Sequence, residues 1–372
     1  MNIKYFLYTI FVITCNTILA NKFYVTNQHG GPEEEGYVLY GDSSIGAITG
    51  IVADPDQTFL IPTVIAVSPD RTKAYVANTS NPITVIDITT NAVTGTITNG
   101  NINVTAIAFS PDGSKAYVAN AISTVSVINV ANDANNAITR NVIVPNFTNP
   151  LSIAFTTDGS NKAYVVNNGT PGSVSVINTV TDTVVTANGG FVYDLNTFYN
   201  STCVAITPDS TTAYVTNDQT PCTVSIINVA ENVVTGTVYD PTGAITNPMF
   251  VAFTPDGTTA YVANGSNNSV NVIDVATHTV VDTISNNPNY PYFNDDNSLA
   301  ITPDGQYVYV VNNGGNSISI LGVSDNAPLG YVGNKSIYTL TDPAFVAFVP
   351  SQPTPPGATP FALRFIQKYG GA

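Results

Sequence analysis

The chain has 372 residues, of which 44% are hydrophobic and only 9% charged, and its 10 basic against 25 acidic residues give a net charge of −15. Because phosphate contacts need clustered lysine and arginine, this balance excludes a nucleic-acid-binding protein and argues against an anionic membrane partner. Of the acidic residues, 21 are aspartate, which is typical of turns, and only 4 are glutamate, which is typical of helices, so this bias favours β-structure with many turns.

Residues 1–20 have the pattern of a secretory signal peptide. Lys4 lies in a short n-region, an apolar run covers residues 5–13, and Ala20 precedes Asn21 as a cleavage site. The alternative is an uncleaved N-terminal anchor helix. No other stretch is long and apolar enough to cross a bilayer. We therefore predict a secreted, periplasmic or cell-surface protein with no membrane span after signal removal.

A repeat organises the rest of the chain. Its motif, Tyr-Val-x-Asn, recurs at intervals of roughly 42 to 51 residues, which lies in the range of propeller blades of four strands. The seven copies begin at Tyr24, Tyr75, Tyr117, Tyr164, Tyr214, Tyr261 and Tyr309. Around each motif the sequence predicts four strands, here called A to D from the inside of the ring outwards, with the motif in strand B.

Two further residues of the repeat have structural explanations. Strand A carries an alanine in every copy, which suits the crowded innermost position of a blade. An aspartate occupies the turn between strands A and B, where its side chain can accept hydrogen bonds from backbone amides two residues further on. These aspartates are Asp70, Asp112, Asp158, Asp209, Asp256 and Asp304. Equivalent residues lie at separate blade tips, so we interpret them as scaffold and not as a metal or acid–base site.

The two ends of the repeat region complement each other. The first copy, at residues 22–27, has no strand A before it, whereas residues 343–350 form a strand A with no strand B after it. We predict that these segments pair and close the ring, which removes exposed sheet edges. The predicted fold is all-β, a seven-bladed β-propeller of four-stranded antiparallel blades over residues 21–350.

Over residues 22–350 the chain resembles the YVTN-type β-propeller repeat proteins. The segments 24–27 and 214–217 read Tyr-Val-Thr-Asn, and the Pro-Asp-Gly turns and Val-Ile-Asp strands match the family pattern as well. The resemblance implies a seven-bladed propeller that is exported or at the cell surface. It implies little about activity, because such repeats occur in surface-layer components, binding modules and some enzymes.

Two cysteines, Cys203 and Cys222, remain after signal removal. An exported chain with two cysteines favours a disulfide, and the repeat places both residues in one blade. The alternative is two small buried thiols, because the strands that carry them are not adjacent.

The chain ends in a Pro-rich linker followed by a tail, together residues 351–372. Residues 361–372 combine Arg364 and Lys368 with several aromatic and aliphatic side chains. One interpretation is a segment that docks a partner or a second copy. The other is a tail that packs on its own propeller or stays disordered.

Catalytic residue types are scarce. The chain has 2 histidines, and we expect His278, in a polar turn between strands C and D, to be exposed to solvent. No haem motif, metal-ligand spacing or nucleophile elbow is present, so we predict no catalytic residues, no metal and no cofactor.

Long connections between strand D and the next strand A are the strongest candidates for a binding face, because loops carry function on a regular scaffold. Exposed aromatic rings beside carboxylates suit sugars, peptides or cationic groups. The candidate residues are Tyr193, Asp194, Tyr199, Tyr239, Asp240, Tyr292, Phe293, Asp295 and Asp296. The structural alternative is that these aromatic side chains cover the channel mouth.

The sequence thus predicts an exported, non-enzymatic propeller that binds a protein, peptide or glycan on its long-loop face. One alternative is a structural or assembly protein of the cell surface. The other is a hydrolase, because the chain also loosely resembles the seven-bladed sugar-lactone hydrolases.

Overall fold

Seven antiparallel sheets make up the computed structural model of the chain. Each sheet is a blade, with the strand order A-B-C-D from the inside outwards. The structure describes residues 22–28, 36–79, 82–98, 103–121, 123–132, 138–143, 149–185, 191–192, 198–286, 293, 296–332, 340–350 and 363–364. Within these residues, no helix is both long enough and apolar enough to cross a membrane.

The strands follow the predicted repeat. Blade 1 contains β1 (Lys22–Asn27), β2 (Tyr37–Asp42) and β3 (Ala47–Ile51). Blade 2 contains β4 (Pro62–Val67), β5 (Lys73–Asn78), β6 (Ile83–Asp87) and β7 (Ala92–Ile97). Blade 3 contains β8 (Val104–Phe109), β9 (Lys115–Asn120), β10 (Thr124–Asn129) and β11 (Ile138–Ile143). Blade 4 contains β12 (Pro150–Phe155), β13 (Lys162–Asn167), β14 (Ser173–Asn178), β15 (Thr183–Val184) and β16 (Phe191–Val192). Blade 5 contains β17 (Ser201–Ile206), β18 (Thr212–Asn217), β19 (Thr223–Asn228) and β20 (Val233–Thr237). Blade 6 contains β21 (Pro248–Phe253), β22 (Thr259–Asn264), β23 (Ser269–Asp274) and β24 (Thr279–Ser285). Blade 7 contains β25 (Asp296–Ile301), β26 (Tyr307–Asn312), β27 (Ser317–Gly322) and β28 (Pro328–Val332). The chain then adds β29 (Pro343–Phe348) and β30 (Leu363–Arg364).

Burial decreases from the inside of each blade to the outside. Strand β4 is buried along its whole length, because strand A has neighbouring blades on both faces. The outer strand β20 alternates between exposed and half-buried residues, the pattern of a strand with one face in solvent. The hydrophobic core therefore lies between the blades, around strands A and B.

The predicted closure of the ring is confirmed. Strand β29 pairs with β1 in an antiparallel register that places Tyr24 opposite Ala347. The strands A of adjacent blades also contact one another in an unbroken circle, from β4 through β8, β12, β17, β21 and β25 to β29 and back to β4. We call the face that carries the D–A and B–C connections the upper face, and the face with the A–B and C–D turns the lower face.

The aspartates of the A–B turns have the predicted structural role. In blade 3, Asp112 Oδ1 accepts hydrogen bonds from Ser110 Oγ at 2.6 Å and from Ser114 N at 3.1 Å. Partial burial acts to raise the pKa of the Asp112 carboxyl, but these hydrogen bonds outweigh it and hold the pKa below its usual value. The same two bonds recur at Asp70, Asp209, Asp256 and Asp304.

The tyrosine of each repeat joins its blade to the next blade, a role that we did not predict. All seven rings are fully buried, and within the described residues six of the hydroxyl groups contact the C–D turn of the following blade. The described pairs are Tyr24–Asn91, Tyr117–Asp182, Tyr164–Asn232, Tyr214–His278, Tyr261–Asn326 and Tyr309–Ser43. We call these contacts the tyrosine clasps.

Four lysines at the start of strand B reinforce the same contacts. Lys22 Nζ donates to Ile88 O at 2.7 Å, and Lys162 Nζ donates to Val229 O at 2.7 Å. In blade 3, Lys115 Nζ lies 2.8 Å from Asp182 Oδ1 in the next blade and forms a salt bridge with it. Lys73 is the fourth. Four of the 10 basic residues of the chain therefore hold neighbouring blades together.

Candidate functional site

The described residues among those predicted to form one binding face have separate surroundings. Tyr239 is 65% exposed, but its backbone pairs with blade 6: Tyr239 N donates to His278 O at 2.8 Å, and Val280 N donates to Tyr239 O at 3.0 Å. Both partners flank the start of β24, an outer strand. Tyr239 therefore lies on the outer wall between blades 5 and 6 and not above the channel.

The other described candidates have structural roles or limited exposure. Phe293 is only 2% exposed, and Asn286 Oδ1 accepts a hydrogen bond from its backbone nitrogen at 2.7 Å, which holds this ring in the core. Tyr199 is half-buried. Of the described aromatic candidates, only Tyr239 is exposed, and Tyr193, Asp194, Tyr292 and Asp295 lie outside the described residues.

Asp240 organises its own loop. Its Oδ2 accepts from Ile245 N at 2.8 Å, and its Oδ1 accepts from Thr242 N at 3.1 Å. Partial burial acts to raise the pKa of the Asp240 carboxyl, but the hydrogen bonds outweigh it and lower the pKa. The carboxyl therefore serves as a hydrogen-bond acceptor for the loop backbone.

Of the two alternatives for Cys203 and Cys222, a disulfide or two thiols, the structure has two free thiols. Cys203 belongs to β17 and Cys222 immediately precedes β19, and β18 lies between these two strands. Two strand spacings amount to about 9.6 Å, which exceeds the Cα separation that a disulfide spans. Burial raises the pKa of the Cys222 thiol, so it is a poor nucleophile at neutral pH.

His278 is half-buried and not the exposed side chain that we expected. Its Nδ1 lies 2.6 Å from Tyr214 OH, in the place that an asparagine takes in three other clasps. Its backbone φ of 52° also matches the left-handed conformation of those asparagines, Asn91, Asn232 and Asn326. Burial lowers the pKa of His278 although the nearby Asp274 carboxylate acts to raise it.

We expect the replacement His278→Asn to remove one source of acid sensitivity. Because the folded-state pKa is below the unfolded value of 6.5, protons bind the unfolded chain preferentially as the pH falls from about 6.5 towards the folded pKa. The free energy of unfolding of the wild type therefore falls over that pH window, and that of the His278→Asn variant falls less. Urea midpoints at pH 8 and pH 5 check this difference; an equal loss in both proteins would contradict it.

The central channel is the remaining candidate site. The strands A that surround it consist mainly of aliphatic residues, phenylalanine and alanine, and their described sequences contain one carboxylate, Asp296, and one thiol, Cys203. Asp296 begins β25 and pairs with Asn312, so its backbone lies at the upper mouth of the channel. This is the one predicted site residue that the described structure places at the channel.

A second polar group lies close to Asp296 in sequence. Ser298 Oγ is buried and has no hydrogen-bond partner among the described residues. At the equivalent position of β12, Ser152 Oγ accepts a hydrogen bond from Val204 N of the next blade at 3.2 Å. Buried hydroxyl groups without a partner are uncommon, and they recur at functional positions. Sequence reasoning missed Ser298, because nothing in the repeat distinguishes it from Ser152.

No group of three or more histidine, cysteine, aspartate or glutamate side chains that could hold a metal ion occurs within the described part of the chain.

Comparison with known proteins finds a family model that matches part of the chain. Residues 241–352 match the family model described as "Lactonase, 7-bladed beta-propeller". A search of curated proteins finds no match. Among solved structures, the chain is similar to Kuenenia stuttgartiensis hydrazine synthase, with 25% identity and a TM-score of 0.62 over 71% of this chain and 77% of that chain. It also resembles a functionally unknown protein from Desulfotomaculum acetoxidans DSM 771, with 16% identity and a TM-score of 0.66 over 89% and 99% of the two chains.

These findings correct the function predicted from the sequence. The family match contradicts the non-enzymatic binding propeller and favours the lactonase-like alternative. The similarity to the Desulfotomaculum acetoxidans protein supports the seven-bladed fold alone. The prediction relied on the scarcity of catalytic residue types, and such a scarcity does not exclude an enzyme.

Proposed function

We propose that the protein is a lactonase-like hydrolase that opens cyclic esters at the upper mouth of the central channel. The observation that carries this proposal is the family match over residues 241–352, which covers blades 6 and 7 and the closing strand β29. Asp296 and Ser298 lie within this segment.

Lactone hydrolysis needs a base to activate water and donors to stabilise the negative charge that develops on the carbonyl oxygen. We assign the base to Asp296, because no other carboxylate occurs in the seven strands A that the structure describes. Among the described strands, six of the seven strands A have no further strand on their channel side. Backbone N–H groups along such an edge would supply the donors for the oxyanion.

A turnover screen tests the proposal directly. Purified protein is incubated with γ- and δ-lactones, including sugar lactones, and proton release is followed in a pH-stat. Linear esters of matched carbon number serve as comparison substrates. We expect hydrolysis of at least one lactone class well above the uncatalysed rate. Rates equal to background for every lactone would contradict the proposal.

Export and the YVTN-type repeat complete the proposal. The motif-bearing strands β1 and β18 both read Tyr-Val-Thr-Asn at positions 24–27 and 214–217, which supports the repeat assignment. For export, the support is the signal-like composition of residues 1–20. Intact mass of the protein recovered from an exporting host would test it, with a chain that begins at Asn21 as the expected result.

A further inference from the structure

The C-terminal tail contributes a strand to the inside of the ring. Strand β30 pairs antiparallel with β8, with Leu363 opposite Ile107 and Arg364 opposite Ala106. Strand β8 is the strand A of blade 3, and β9 already occupies its outer edge. The tail therefore pairs with the edge of β8 that faces the channel.

The neighbours of β30 place it within the channel. Besides β8, it lies within 8 Å of β4, β12 and β29, which are the strands A of blades 2, 4 and 1. A two-residue strand can approach the innermost strands of four blades only from inside the ring. The tail thus occupies space that a channel ligand would need.

Chain direction and length agree with this position. Strand A runs from the upper to the lower face, so β29 ends at the lower face and the antiparallel β30 runs upwards from it. Residues 351–362 connect the two, and twelve residues reach roughly 37 Å at 3.1 Å per residue in a Pro-rich segment. This length is sufficient to return the chain from blade 1 into the channel.

Charge also favours the association. Residues 361–372 contain Arg364 and Lys368 and no acidic side chain, whereas the whole chain carries a net charge of −15. A cationic tail is therefore attracted to the acidic propeller. The added strand also satisfies backbone N–H and C=O groups of β8, which is the general mode of β-strand addition.

We infer that strand β30 of the C-terminal tail is an autoinhibitory plug: it pairs with the channel edge of β8 and competes with substrate for the channel. The tail position follows from the pairing alone, whereas the effect on substrate rests on the proposed function. The two parts are tested by separate measurements.

Disulfide trapping in the full-length chain, with Cys15→Ser in both proteins, tests the position of the tail. The test protein carries Arg364→Cys and Ala106→Cys with Cys203→Ser and Cys222→Ser, because paired strand residues have Cα separations within disulfide range. The matched control carries Arg364→Cys and Cys222→Ser and keeps the native Cys203, the residue of β17 equivalent to Ala106. Under copper–phenanthroline oxidation we expect the test pair to form at least about tenfold faster, owing to its higher effective concentration. Equal rates would overturn the inference.

Turnover tests the inhibitory effect. Leu363→Pro with Arg364→Pro removes the backbone donors of β30 without shortening the chain. Because a plug reduces the binding-competent fraction, we expect kcat/KM for the lactone found in the screen to rise at least about fivefold, mostly through KM. Trapping at Ala106 together with an unchanged kcat/KM would place the tail in the channel but overturn autoinhibition. Absence of any lactone turnover would instead contradict the proposed function and leave the trapping result unaffected.

Discussion

Replacement of Asp296 with asparagine should lower kcat/KM for lactone hydrolysis by about 10²–10⁴-fold, the range that general acid–base catalysis contributes. Asparagine keeps the size of the side chain and its capacity to accept a hydrogen bond, but it cannot take a proton from water at neutral pH. The loss should appear in kcat, because a base acts in the transition state more than in substrate binding.

Asp282→Asn is the matched control for this experiment. Asp282 belongs to the outer strand β24 of blade 6, where it is exposed, and it lies within the same family-matched segment as Asp296. We expect its kcat/KM to equal that of the wild type. Circular dichroism of both variants separates loss of chemistry from loss of fold. A D296N protein that keeps its activity within about threefold would exclude Asp296 as the base, since removal of a general base costs far more.

The fold was predictable because each blade repeats the same strand and turn residues at the same relative positions. Tyr-Val-x-Asn, the alanine of strand A and the aspartate of the A–B turn recur with a regular spacing, and spacing alone defines a ring of blades. The ring closure was predictable for a similar reason, since residues 22–27 and 343–350 are the two halves of one blade. These are local patterns that depend on neighbours in the sequence.

The site was less predictable, because it depends on where the outer strands and connections run in space. Tyr239 follows β20 in the sequence, yet it pairs beside β24 of the next blade, and no spacing in the sequence indicates that contact. Phe293 lies in a polar, aromatic loop, but the side chain of Asn286 holds it in the core. Exposure of a loop residue is set by contacts of this kind and not by composition.

One contact had a signal that sequence comparison between blades could have used. His278 occupies the same place before strand D as Asn91, Asn232 and Asn326, so it was identifiable as a clasp residue. The repeat also showed that the strands of Cys203 and Cys222 are not adjacent, which was the argument for two thiols. In contrast, nothing in residues 361–372 indicates a pairing with β8, because the tail has no counterpart in any blade.

Loss of a clasp hydroxyl should destabilise the propeller by an amount that depends on the acceptor. We expect Tyr117→Phe to lower the free energy of unfolding by about 1.5–3 kcal/mol, because its acceptor, Asp182, is a carboxylate. Tyr164→Phe loses neutral acceptors, among them Val229 O at 3.0 Å, and should cost about 0.5–1.5 kcal/mol. Urea unfolding with an unchanged m-value measures both differences.

Tyr309→Phe is the internal control. Tyr309 OH lies 3.4 Å from Ser43 O, a long contact, so loss of the hydroxyl should cost less than about 0.5 kcal/mol. Tyr117→Ala should cost about 3–5 kcal/mol, since it also removes a fully buried ring. If the three phenylalanine variants were equally stable, the repeated tyrosine would act through ring packing alone. We expect the loss in free energy of unfolding to be largest for Tyr117→Phe, smaller for Tyr164→Phe and smallest for Tyr309→Phe. This order would show that the hydroxyl group itself helps to hold successive blades together.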